Sequence, residues 1–130
     1  MVLVKAILVA GVMSLASVSY GMTVGCGTTD VEDGPSVSIS LNDESGAAEQ
    51  ISISYDETTS PKVFDQIRAR ISNTVPIGYY AGRNSSDGNS VAIDIQSPWT
   101  NNSFAFKGTM TVFSVYGVEI FDIGCNLRNE

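Results

Sequence analysis

The chain has 130 residues, no histidine, two cysteines and fourteen acidic residues against seven basic ones, a formal net charge of −7. Without histidine there is no Ser-His triad, no Cys-His pair and no histidine-ligated zinc, and two cysteines cannot build a four-thiolate site. An acidic surface repels phosphate, which argues against nucleic acid as a partner, and no glycine-rich phosphate loop is present.

Residues 1–19, MVLVKAILVAGVMSLASVS, place Lys5 ahead of an apolar run that ends near Ala16 and is followed by small residues. This reads as a secretory signal peptide with cleavage near residues 19–21, because the run is shorter than the roughly 20 apolar residues that span a bilayer. Residues 20–130 then form a single β-rich domain with room for one core and no transmembrane span. Secretion into an extracellular or periplasmic space is the expected localisation.

Cys26 and Cys125 are the only cysteines, and export delivers them to a compartment where disulfides persist. A bridge between them closes a loop of roughly 100 residues, for which loop-closure entropy gives about 4.7 kcal/mol. The alternative is a lipid anchor. TVGC at 23–26 is similar to a bacterial lipobox, with Thr23 where that motif usually has Leu, and lipid attachment through Cys26 leaves Cys125 unpaired. A catalytic thiol lacks the activating histidine or other cation it needs.

Acids are concentrated early in the chain. Asp30, Glu32, Asp33, Asp43, Glu44, Glu49, Asp56 and Glu57 fall in a stretch without a base, and they read either as a docking face for a cationic partner or as a device for solubility.

SVSISLN (36–42) and QISISYD (50–56) alternate strictly, with Val37, Ile39, Leu41, Ile51, Ile53 and Tyr55 on one face and serines on the other, which predicts an antiparallel hairpin with a serine-lined outer surface. TTSPKVFDQIRARISN changes period. Ser60 as cap, Pro61 at the first turn and the spacing of Val63, Phe64, Ile67 and Ile71 predict an amphipathic helix over about residues 60–72, with Arg68 and Arg70 near its C-terminal end. Strands are expected at 77–82, 90–97, 103–116 and 118–125. From Met110 to Ile123 apolar residues fall on both faces, the pattern of strands covered on two sides. The fold class predicted is therefore α+β, mainly β: an antiparallel sheet or two-layer sandwich of about seven short strands, with the one helix packed on a face.

For function, the sequence offers no catalytic, metal or cofactor motif. Carboxylate-only hydrolysis survives, since a glycosidase needs two acids, and Asp94 and Asp122 each interrupt an apolar strand. Binding fits better. Tyr79, Tyr80 and Trp99, on or beside loops, belong to the residue types enriched at interface hot spots. The combination of leader, small domain, few cysteines and no catalytic motif resembles the small secreted effector proteins of host-dwelling microbes, a likeness of type that implies a protein or glycan partner at a host or envelope surface. Ribonuclease-like fungal effectors also place one cysteine near each end. They carry an aromatic residue two positions before the first, where this chain has Val24, and their helix follows soon after it, where a hairpin intervenes here. The leading expectation is a small secreted non-enzymatic binding protein; a carboxylate hydrolase and a lipid-anchored envelope component are the alternatives.

Overall fold

The computed structural model describes residues 20–42, 44–99 and 103–129; the signal peptide expected at residues 1–19 and Asp43 lie outside the described residues. The described residues form nine strands: β1 Tyr20–Thr28, β2 Ser36–Asn42, β3 Ala48–Ser54, β4 Lys62–Phe64, β5 Gln66–Ile71, β6 Gly78–Arg83, β7 Ser90–Pro98, β8 Phe106–Ser114 and β9 Gly117–Asn129. They form one antiparallel sheet in the order β4-β3-β2-β1-β9-β8-β7-β6-β5. The two edge strands, β4 and β5, are consecutive in the chain with Asp65 alone between them. The sheet therefore curls until its edges meet, giving a nearly closed barrel in place of the open sheet or sandwich expected.

The expected helix at 60–72 does not form, and no helix occurs among the described residues. The residues that suggested it occupy β4, the corner at Asp65 and β5. A corner explains the misreading. Phe64 is buried on β4, and Ile67 and Ile71 pack on the core from β5. One kink between two strands makes the first interval three residues and leaves the second at four, which reproduces helical spacing. Side chains alternate on each strand, so Arg68 and Arg70 share the outer face. β-Branched Val63, Ile67 and Ile71 suit strand backbone.

The corner is fixed to the loop after β6. Asn84 Nδ2 donates to the Val63 carbonyl at 2.7 Å, the Ser85 hydroxyl donates to Asp65 at 2.8 Å, and Lys62 pairs with Asp87. Inside, Gly82 makes room for the corner: a Cβ there would stand 2.9 Å from Phe64 Cβ and 3.2 Å from Ile51 Cδ1.

The barrel interior is filled by alternating residues of every strand, among them Val24, Ile39, Leu41, Ile51, Ile53, Ile93, Ile95, Met110 and Ile123. No charged side chain is buried among them. Each such Val, Ile or Leu is worth about 1.5–3 kcal/mol on leaving water. Tyr80 lies in this core, fully buried, with its hydroxyl donating to the Pro76 carbonyl at 2.6 Å.

β1, not foreseen as a strand, joins the two halves. It runs antiparallel to both β2 and β9, with Cys26 directly opposite Cys125, and the two sulfurs are bonded. Gly27 and Gly124 face outward from this junction, and the Phe104 ring lies over them; a Cβ on Gly124 would come within 2.4 Å of that ring. Asn126 ties the covering loop down, accepting from the Ala105 amide at 2.9 Å and donating to the Ser103 carbonyl at 2.6 Å. The same bridge bears on the lipid alternative, because one sulfur cannot hold both a disulfide and a thioether, and processing at Cys26 would also remove buried Val24 from β1.

Non-reduced, folded protein should accordingly show no titratable thiol, and Cys26→Ser/Cys125→Ser should lose about 2–5 kcal/mol of stability in denaturant unfolding. Two reactive thiols in native protein, or an unchanged unfolding midpoint, would contradict the bridge as a structural tie.

Candidate functional site

With every pair antiparallel, loops alternate between two barrel ends. The loops after β1, β3, β6 and β8 share one end, and those after β2, β5 and β7 share the other. The acidic stretch is split by this arrangement. Asp30, Glu32, Asp33, Asp56 and Glu57 stand at the first end, while Glu44 and Glu49 belong to the second. There is thus no single acidic face, although five acids do gather at one rim.

That rim also carries the most exposed apolar side chains of the described chain. β8 and β9 are joined by the two-residue turn Val115-Tyr116, and Gly117 closes it at φ 125°, a conformation that favours glycine. Val115 is 85% exposed and Tyr116 97%. Outward from the same hairpin project Phe113, Val118 and Ile120, the last two 59% and 66% exposed. On its β1 side, β9 is paired only from Ile123 onward, with one further bond from the Thr29 amide to the Asp122 carbonyl at 2.8 Å. Residues 117–121 thus extend past β1 as an arm.

β8 and β9 are central in the sheet order, as their composition predicted, but only their inner face is covered. Met110, Val112, Phe121 and Ile123 are buried inside, whereas Phe113, Val118 and Ile120 on the outer face meet no second layer. These residues were missed as a site because two-sided apolarity was read as two-sided burial.

Across the barrel mouth from this arm lies the β3–β4 loop. The Tyr55 hydroxyl is raised above the ordinary phenol range by partial burial first and by the charge of Glu119 second. Beside it, Asp56 accepts from the hydroxyls and amides of Thr58 and Thr59, all at 2.8 Å. Those bonds hold its carboxyl down at about 2.

The three aromatic candidates are separated. Tyr79 stands 48% exposed on the outer wall of β6. Tyr80, its neighbour, points into the core, where burial pushes its hydroxyl up to about 12, and it is closed to any ligand. Alternation along β6 dictates this, since adjacent strand residues cannot both face out. Trp99 is half-buried at the end of the barrel opposite the hairpin tip, its amide donating to the Ala105 carbonyl at 2.6 Å. Asp94 and Asp122 lie on the outer wall, each opposite Thr109 on one side of β8. Two strand spacings put them about 10 Å apart, just beyond the roughly 5–9.5 Å used by glycosidases, on a convex surface. Among the described residues no three His, Cys, Asp or Glu converge as a metal site.

The chain matches no protein-family profile, no curated protein and no solved structure. Its function is therefore argued from these surfaces.

Because Asp56 titrates lower in the fold than unfolded, its bonds stabilise the loop fully above the ordinary carboxylate range and are lost as pH falls toward about 2. In an NMR titration the Thr58 and Thr59 amides should shift with a midpoint near 2; a midpoint near the ordinary 3.8 would contradict the capped loop. Tyr80→Phe should cost about 1 kcal/mol by leaving the Pro76 carbonyl unpaired, read as a lowered unfolding midpoint.

Proposed function

We propose that this chain is a small secreted, non-enzymatic binding protein that docks a basic partner protein, at a host or envelope surface, through the β8–β9 arm. The observation that carries the reading is the uncovered outer face of that arm: Val115, Tyr116, Val118 and Ile120 in water on a strand pair whose composition calls for cover on both sides. Contiguous exposed apolar surface rimmed by polar groups marks interaction sites, and a tyrosine at its tip supplies a large contact area with few rotatable bonds.

The rim gives the partner its sign. Glu119 lies on the arm, on its face toward the barrel mouth, Asp122 stands at its base, and Asp30, Glu32 and Asp33 are on the neighbouring loop. A cationic surface is steered toward this end, whereas a second copy brings its own acids against these. Anionic membrane is disfavoured for the same reason. The filled interior supports docking on the outside over capture of a ligand in the barrel. The internal disulfide supports an oxidising compartment.

Surface immobilisation of the mature protein against fractionated host or envelope proteins tests this. A saturable basic partner should be lost or weakened at least roughly tenfold by Tyr116→Ser/Ile120→Ser, the scale of a hot-spot residue, and should associate more slowly as salt rises. Both changes are at exposed positions, so the unfolding midpoint should hold. Concentration-dependent dimerisation abolished by the same variant, or binding to neutral lipid vesicles, would replace the partner named here.

A further inference from the structure

A second surface lies on the barrel wall, away from the arm's tip. On the outer face of β5 and β6, Arg70 is opposite Tyr79, Arg68 opposite Ala81, and Gln66 opposite Arg83. Ala81 continues to Ala92 on β7 and Thr111 on β8. Ala81 and Ala92 form the floor of a shallow groove across the strands, walled by Tyr79 on one side and by Arg83 and Phe113 on the other. An adjoining hollow contains Arg68, Arg70 and Tyr79.

The charge here is opposite to that of the molecule. Among the described residues the ion pair is Lys62–Asp87, so no described carboxylate pairs with Arg68, Arg70 or Arg83. Arg68 and Arg70 are two strand residues apart, about 7 Å. Arg68 and Arg70 beside the Tyr79 ring, with Arg83 on the far wall of the groove, form a seat for anions on a chain of net charge −7.

We infer that this groove binds an acidic polysaccharide, a polymer of uronic acids, with carboxylates on Arg68, Arg70 and Arg83 and a sugar face against Tyr79 and the Ala81–Ala92 floor. Planar guanidinium forks match carboxylates in two-point geometry. The C–H edge of a pyranose carries slight positive charge and suits the negative face of an aromatic ring. A stiff sugar chain also loses little freedom on binding. An acidic peptide is less well served, because β6 and β7 are taken up by their ladders on both sides and a peptide main chain could pair only along the edge of β5, away from Arg83 and the Ala81–Ala92 floor. Asp94, opposite Tyr79 on β7, is the acid of this wall and confines the anion seat to the β5–β6 side.

Affinity electrophoresis and calorimetry with polygalacturonate, neutral galactan and polyglutamate decide the matter. The protein should bind polygalacturonate alone, more weakly as salt rises. Arg68→Glu/Arg83→Glu should weaken binding by about tenfold for each guanidinium lost. Arg68→Lys/Arg83→Lys, which keeps charge but not the fork, should fall between. Asp94→Asn should tighten binding, and Tyr116→Ser/Ile120→Ser should leave it unchanged. No binding to polygalacturonate, equal binding to polyglutamate, or binding indifferent to Arg68→Glu/Arg83→Glu would each overturn the assignment. Because the arm variant and the groove variants are separate, failure of one reading leaves the other standing.

Discussion

One residue closes this barrel. β4 and β5 lie at opposite edges of the sheet and only Asp65 separates them, so their adjoining ends are held within two Cα–Cα steps, about 7 Å. An open twisted sheet cannot meet that condition, and a curled one does. The contacts around the corner follow from this. Phe64 is brought against Gly82 and Ile51, and the polar groups of the corner find partners in the loop after β6 in place of a strand ladder. At the opposite side of the circle, β1 and β9 carry the first and last described residues, and the Cys26–Cys125 bond secures that pairing with a sequence separation of 99. The barrel is thus held at two seams, one by chain continuity and one by a covalent cross-link.

A barrel of this size has an interior that side chains fill. Chemistry is thereby displaced to the outer wall and the rims, and alternation along each strand decides which residues are available. The pair Tyr79 and Tyr80 shows the consequence. Adjacent in sequence and alike in type, one ring is in water and the other donates a hydrogen bond inside the core. A buried Tyr80 fills space at the cost of a partner for its hydroxyl, and the Pro76 carbonyl supplies it.

Sequence periodicity revealed most strands and the inward residues Val37, Ile39, Leu41, Ile51 and Ile53 of β2 and β3, because alternation between apolar and polar residues is a local property; Tyr55, expected on the same face, lies beyond the end of β3 and is 44% exposed. The serine-lined outside of the β2–β3 hairpin was legible for the same reason. β1 was hidden by Gly25 and Gly27, which lower strand propensity; what keeps them is tertiary, the Phe104 ring over Gly27 and the Arg128 side chain 3.6 Å from a Cβ at Gly25. The corner was hidden by arithmetic. A kink between Phe64 and Ile67 shifts the strand period by one and imitates a helix stripe, and only the knowledge that β4 and β5 occupy opposite edges distinguishes the two. The candidate arm was visible in composition but misassigned, since a sequence shows that a strand is apolar on both faces without showing whether its own chain covers both.

The two proposed surfaces differ in sign because the loops and the strands draw on different parts of the sequence. The acids of the early half fall mostly at chain reversals, where Asp and Glu are readily solvated and Asp56 caps its own turn, and antiparallel topology collects five of them at the rim beside the β8–β9 turn. The arginines lie within strands, where period two places Arg68 and Arg70 together on the outer face and pairing with β6 adds Arg83. Helical geometry at the same residues would have set Arg68 and Arg70 on different sides. The conformation of this segment therefore decides whether the chain has a cationic groove at all, and the closure at Asp65 that fixes β5 as an edge strand also sets Arg68, Arg70 and Arg83 on one outer wall of an acidic protein.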